Sequence, residues 1–141
     1  RGFTAALAAL GSPVPAEAVV ECAFTRDGGH GGMRDLLARV GAAGPDGAPR
    51  AVFAVNDVMA VGAMAAAREA GLRVPEDVAV AGFDDIVTLR DVTPGLTTVR
   101  IPLTEVGEQA LRLALAPDDD AEPRRVAVRC AVVLRESTPA L

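Results

Sequence analysis

Two pairs of polar residues interrupt otherwise apolar runs: Asn56-Asp57 follows Ala51–Val55, and Asp84-Asp85 follows Val78–Phe83. An amide carries donor and acceptor on one plane, and a shielded carboxylate accepts two hydroxyl hydrogen bonds strongly. Together they suit a sugar hydroxyl pair or the edge of a heterocycle. Paired carboxylates also serve acid–base catalysis. Here no nucleophile, metal cluster or second catalytic partner accompanies them, so the chain is not expected to be an enzyme. His30 is the one histidine and has no Cys or His close in sequence. Cys22 and Cys130 form no CxxC, so neither a zinc site nor any other cofactor is expected. Both cysteines sit in apolar runs and read as buried, reduced thiols, with a disulfide as the alternative. Gly28, Gly29, Gly31 and Gly32 lack the Lys-Ser/Thr and the spacing of phosphate loops, and read as a flexible loop and helix start.

The same residues have structural uses. Asn56 can cap a helix by accepting a backbone N–H, and Asp57 can serve the cap or the helix dipole. Asp85 reads as the cap of a short helix running to Arg90. Which use prevails depends on the elements that carry them.

Those elements alternate. Phe3–Leu10 is helical and stops at Gly11-Ser12-Pro13. Ala18–Ala23 is short, apolar and β-branched, a strand. Met33, Leu36, Leu37 and Val40 recur at helical spacing before the break from Gly41 to Pro49. Ala51–Val55 and Val78–Phe83 are apolar on both faces, as buried parallel strands are. Between them a helix runs from Val58 to Ala70 and ends at Gly71. Leu96–Ile101 reads extended, Leu103–Leu115 helical, Pro117–Asp120 an acidic loop and Val126–Leu134 β-rich. This order predicts an α/β fold with a mostly parallel sheet flanked by helices. Ligands in such sheets gather beyond the carboxyl ends of the strands. Asn56-Asp57, Asp84-Asp85 and Phe24 all fall on that edge.

The chain is 141 residues long, half of it apolar, which suits one domain with a real core. A net charge of −5 argues against a basic nucleic-acid module within it. No apolar run approaches the roughly 20 residues of a membrane helix, and no signal peptide is legible. A cytoplasmic protein without a membrane partner is expected. The chain opens at Arg1 inside a helical pattern and reads as a piece of something longer.

Several blocks together resemble the LacI/GalR family of bacterial transcription regulators. They are Phe53-Ala54-Val55-Asn56-Asp57-Val58-Met59-Ala60-Val61-Gly62-Ala63, Ala70-Gly71-Leu72-Arg73-Val74-Pro75-Glu76-Asp77-Val78, and Gly82-Phe83-Asp84-Asp85. Thr93-Pro94-Gly95-Leu96-Thr97-Thr98-Val99-Arg100 and Arg135-Glu136-Ser137-Thr138 complete them. The resemblance spans essentially all of residues 1–141, but only the C-terminal half of a family member. It implies a type I periplasmic-binding-protein-like sensor, mostly its C-terminal lobe, with the helix-turn-helix headpiece absent. Two such lobes clamp a small effector, usually a sugar or nucleobase-like molecule, and control operator DNA binding through the headpiece.

The resemblance implies ligand contacts at Asn56 and Asp84, with Phe24 stacking on the effector. Cys22-Ala23 stands where many members carry Gly-Asp. Leu103 matches a position that is aromatic in some members, and an aliphatic residue cannot stack. The family's effector-gripping Arg would lie before Arg1, itself expected to be solvent-exposed. Residues 103–125 are expected to pack on the missing lobe, with Thr98–Leu103 and the Arg124–Val128 stretch as lobe-crossing strands. The apolar Val58–Ala70 helix suggests a homodimer contact through Val61, Met64 and the Val92 region. The alternative reading is a secreted sugar-binding protein of a transporter, which shares the fold. A helix-turn-helix encoded upstream would favour the regulator, and a signal peptide the transporter.

Overall fold

The computed structural model describes residues 2–41, 50–116 and 125–139. In order these form α1 (Gly2–Ala9), α2 (Arg26–Val40), β1 (Arg50–Phe53), α3 (Asp57–Glu69), β2 (Val78–Ala81), β3 (Thr98–Arg100), α4 (Leu103–Leu115) and β4 (Ala131–Val133). Short 3-10 turns occupy Ala16–Ala18 and Val87–Asp91. Strands β1 and β2 pair in parallel, Phe53 opposite Ala81, with α3 as the crossover. Strands β3 and β4 pair antiparallel, Thr98 opposite Val133. Parallel bridges at Ala81–Thr97 and Asp84–Arg100 lay the β3 segment alongside the chain leaving β2. The α/β class is as the alternation predicts.

Helix α3 explains the centre. Asn56 caps it, its Oδ1 accepting from the Met59 N–H at 2.8 Å. It stops where Gly71 turns left-handed at φ 77°, a conformation that costs glycine little. Its small and apolar residues bury almost all the way round, as a helix without a polar face must. On one side Met59, Ala60 and Met64 meet Val80, Leu89 and Leu96. On the other, Ala63, Ala66 and Ala67 meet Met33 of α2 and Val78.

Two glycines set the spacing of the helices. A Cβ on Gly29 would strike the Met59 backbone, and one on Gly62 would strike the Arg26 carbonyl. The glycine cluster is therefore not a loop. It lies inside α2, which starts at Arg26 behind a Thr25 cap that accepts from Gly28 N at 3.0 Å.

Three further expectations are corrected. Ala18–Ala23 is no strand: residues 16–18 form a 3-10 turn and 19–23 join no sheet. Among the described residues β1 pairs only with β2, and β propensity without a partner strand builds nothing. Cys22 and Cys130 are exposed free thiols, because the runs that carry them are not core strands. Met64 is only 1% exposed and lies in the core, so it offers no surface to a second copy. Val61 and Val92 pack against the same cluster as Met64 but stay half-buried. Arg1, most of the Gly41–Pro49 break, the acidic loop and the start of the Arg124–Val128 stretch lie outside the described residues. No helix among the described residues is long and apolar enough to cross a membrane.

Candidate functional site

The carboxyl ends of β1 and β2 lie side by side. Ala54 N–H donates to the Ala81 carbonyl and Asp57 N–H to the Phe83 carbonyl, each at 2.9 Å. The Asn56-Asp57 and Phe83-Asp84 junctions are thus neighbours, which brings the two sequence-predicted polar tips together. Phe24 is not held beside them by any hydrogen-bonded strand. It is 68% exposed, on an apolar groove of about 820 Å³ that Phe3, Met33, Phe53 and Val55 also line. Neither Asn56 nor Asp84 lines that groove.

Asn56 is buried and spends its Oδ1 on the cap. Its Nδ2 donates to no described residue. Both the structural and the recognition use of this amide are therefore compatible.

Asp84 is half-buried and sits at φ 118°. Its N–H donates to the Val99 carbonyl at 2.9 Å, while its carboxylate accepts from no described residue. Burial, and next the nearby Asp57 carboxylate, push its pKa up. An under-satisfied carboxylate at a strand tip is an acceptor in want of donors.

Asp57 does more than serve a cap. It is fully buried. Its Oδ1 accepts from the Thr98 hydroxyl at 2.6 Å and its Oδ2 from the Ile86 N–H at 2.9 Å. One carboxylate therefore ties α3 to β3 and to the turn after β2. Sequence reasoning missed this because Thr98 is remote in sequence. The one available signal was an acid set beside a capping Asn.

Asp85 is not a helix cap. Ile86 flanks the 3-10 turn and makes no side-chain cap. Asp85 instead accepts from Arg100 Nε and Arg135 Nη2, both at 2.6 Å. Burial alone would raise its pKa, but the hydrogen bonds from Arg135 and Arg100 outweigh it and hold the carboxyl below the usual range. Ser137 adds a second tie, accepting from Thr97 N at 2.8 Å and donating to the Val80 carbonyl at 2.6 Å. The Arg135–Thr138 block thus closes the sheet.

Of the remaining candidates, Leu103 is 67% exposed at the start of α4, a helix with no buried residue. Val61 and Val92 are half-buried and pack against the core. No group of three His, Cys, Asp or Glu side chains among the described residues could hold a metal ion.

Comparison with known proteins fits this architecture. Residues 1–138 match the family described as the periplasmic binding protein-like domain. The HTH-type transcriptional repressor PurR of Escherichia fergusonii is 35% identical over 138 residues, covering 96% of this chain and 39% of the repressor. Among solved structures, the transcriptional regulator CelR–cellobiose complex superposes with a TM-score of 0.82 at 34% identity, covering 96% of this chain and 40% of that one. A LacI family regulator from Mycobacterium smegmatis gives 0.83 at 33% identity, covering 97% and 50%. The chain spans well under two thirds of the length of the relatives it matches. The match over residues 1–138 settles the family: the chain belongs to the periplasmic binding protein-like domain family and is similar to part of the transcriptional regulators named above.

Proposed function

We propose that this chain recognises a small polar effector, a sugar, at the tips of β1 and β2, and that the protein carrying it uses that binding to control operator DNA. The observation that carries the reading is the adjacency of the two tips, Asp57 N–H to the Phe83 carbonyl at 2.9 Å, beside an Asp84 carboxylate without a described donor. Asp84 accepts hydroxyls, and Asn56 donates through Nδ2. Phe24 closes over the apolar face once the other lobe is present. The exposed leucines of α4, among them Leu103, Leu111 and Leu115, dock that lobe. A second copy of the chain packs near Val61 and Val92, and DNA is reached only through a separate headpiece. The reaction is binding without turnover, in the cytoplasm.

Two features support the sugar class. The CelR structure is described as a cellobiose complex, and an Enterococcus faecium LacI family regulator as holding ribose. The relatives named are all transcriptional regulators, which favours this reading over a transporter component. Effector binding then works by preferring the closed clamp over the open one, and the coupling equals that difference in affinity.

The test is thermal melting of the intact protein with cellobiose, lactose and ribose, repeated on Asp84→Asn. A sugar present at 100 times its Kd stabilises by about 2.7 kcal/mol. The expected result is a rise in melting temperature that Asp84→Asn abolishes while the ligand-free melting temperature holds. An undiminished rise in the variant overturns the site.

A further inference from the structure

Asp84 and Asp85 are the two non-glycine residues, among those described, with positive φ, 118° and 58°. Such backbone persists only where its surroundings over-determine it. Here the determinants can be named. Asp57 Oδ2 holds the Ile86 N–H on one flank, at 2.9 Å. The Asp84 N–H holds the Val99 carbonyl, also at 2.9 Å. On the other flank the Asp85 side chain, 9% exposed, receives Arg100 and Arg135. Arg135 turns its Nη1 to the Leu96 carbonyl at 2.8 Å, so its guanidinium bridges the turn to the segment entering β3.

Glycine would meet φ 58° without steric cost. An aspartate there adds a carboxylate, and both of its oxygens are taken by cations. It has no free acceptor of the kind Asp84 keeps. Charge-assisted bonds of this length are the strong ones, and two of them converge on one nearly buried group.

We propose that Asp85 is a positioning residue: its ion pairs to Arg100 and Arg135 lock the left-handed turn that presents the unpaired Asp84 carboxylate. The lock is a property of the ligand-free fold. Its effect on the effector rests on the reading of Asp84 given above.

The test follows the Asp84 N–H by amide hydrogen exchange in the intact protein, alongside melting with cellobiose, lactose and ribose. Asp85→Gly keeps the backbone conformation available and removes the carboxylate. Asp85→Asn keeps a side chain that tolerates this conformation and removes the charge. The expected result is Asp84 exchange about tenfold faster in Asp85→Gly, less so but clearly faster in Asp85→Asn, with global melting little changed. Any sugar-induced rise in melting temperature falls in the same order. Unchanged exchange in both variants overturns the proposal, and so does loosening in Asp85→Gly with none in Asp85→Asn, which traces to backbone freedom alone. If Asp85→Gly does not fold, Arg100→Gln, at a side chain 59% exposed, must still loosen the Asp84 N–H. Faster exchange with no sugar response in any form sinks the effector reading and leaves the lock standing. A sugar response lost in Asp84→Asn but intact in Asp85→Gly, with exchange unchanged, does the reverse.

Discussion

The stretch from Ala54 to Arg100 and the stretch before Arg26 are equally apolar in character but differently built. The first is cross-braced. Its helix α3 is buried nearly all round and Asp57 ties it to β3, while Asp85 and Ser137 tie the turn after β2 and the strands to the closing segment. The second buries nothing: every described residue from 2 to 28 is exposed or half-buried. Its chief attachments are the Phe3–Phe53 stack, with ring centroids 4.8 Å apart, and contacts of the Ala16–Ala18 turn with α2. Apolar composition converts into burial only where a paired strand or an apposed helix is there to receive it. The two polar tips of the candidate site belong to the braced stretch, and the aromatic Phe24 to the open one.

The contrast can be broken by mutation. Asp57→Ala should have the largest effect, since it leaves the Thr98 hydroxyl and the Ile86 N–H unsatisfied in the interior. The expected loss is about 2–4 kcal/mol by urea unfolding. A loss below about 1 kcal/mol would show that the bracing is not what holds this stretch.

Gly62→Ala comes next. The added Cβ meets the Arg26 carbonyl, and overpacking of about 1–3 kcal/mol outweighs the ~1 kcal/mol that alanine gains in helix propensity. A stabilised variant would mean that α2 and α3 separate easily.

Phe3→Ala should cost at most about 1.5 kcal/mol, the range of one aromatic pair. If it proves as damaging as Asp57→Ala, the open stretch is as integral as the braced one.

The smallest effect is in acid. Hydrogen bonds from the Arg73 side chain and backbone hold the half-buried Asp77 carboxyl down to about 2. A depressed carboxyl stabilises the fold above its unfolded pKa, near 3.8, and that contribution drains away as pH falls through about 2. Asp77→Asn should therefore lower the melting temperature slightly at neutral pH, flatten its fall between about pH 4 and 2, and leave melting below about pH 2 unchanged. Asp85 works in the same direction within the braced stretch, its carboxyl also lowered. An acid slope that Asp77→Asn leaves untouched would assign the loss to Asp85 and its arginines.

Much of this was legible along the chain. Local rules act within a few residues, so the α3 cap at Asn56, the Gly71 stop and the span Leu103–Leu115 came through nearly to the residue. The βαβ order followed from alternation, and with it the edge on which Asn56 and Asp84 lie. Where the decisive partner was remote, the reading failed. Ala18–Ala23 had the composition of a strand and no neighbour to pair with. Gly28 to Gly32 read as a loop leading into a helix start, and only the packing of α3 against them shows why glycines sit inside the helix. Met64 looked like a surface residue of an apolar helix until both sides of that helix were covered. Asp85 looked like a cap until Arg135, 50 residues on, reached it.

The sequence by itself settled the crossover helix, its neighbouring strands and which polar groups stand at their ends, because capping, turn chemistry and apolar periodicity are decided between near neighbours in the chain. Tertiary structure alone decided what each polar group does there. A carboxylate becomes a brace, a lock or a free acceptor according to which donors long-range packing brings within about 3 Å, and only the fold brings Thr98, Arg100 and Arg135 to Asp57 and Asp85 while leaving Asp84 open.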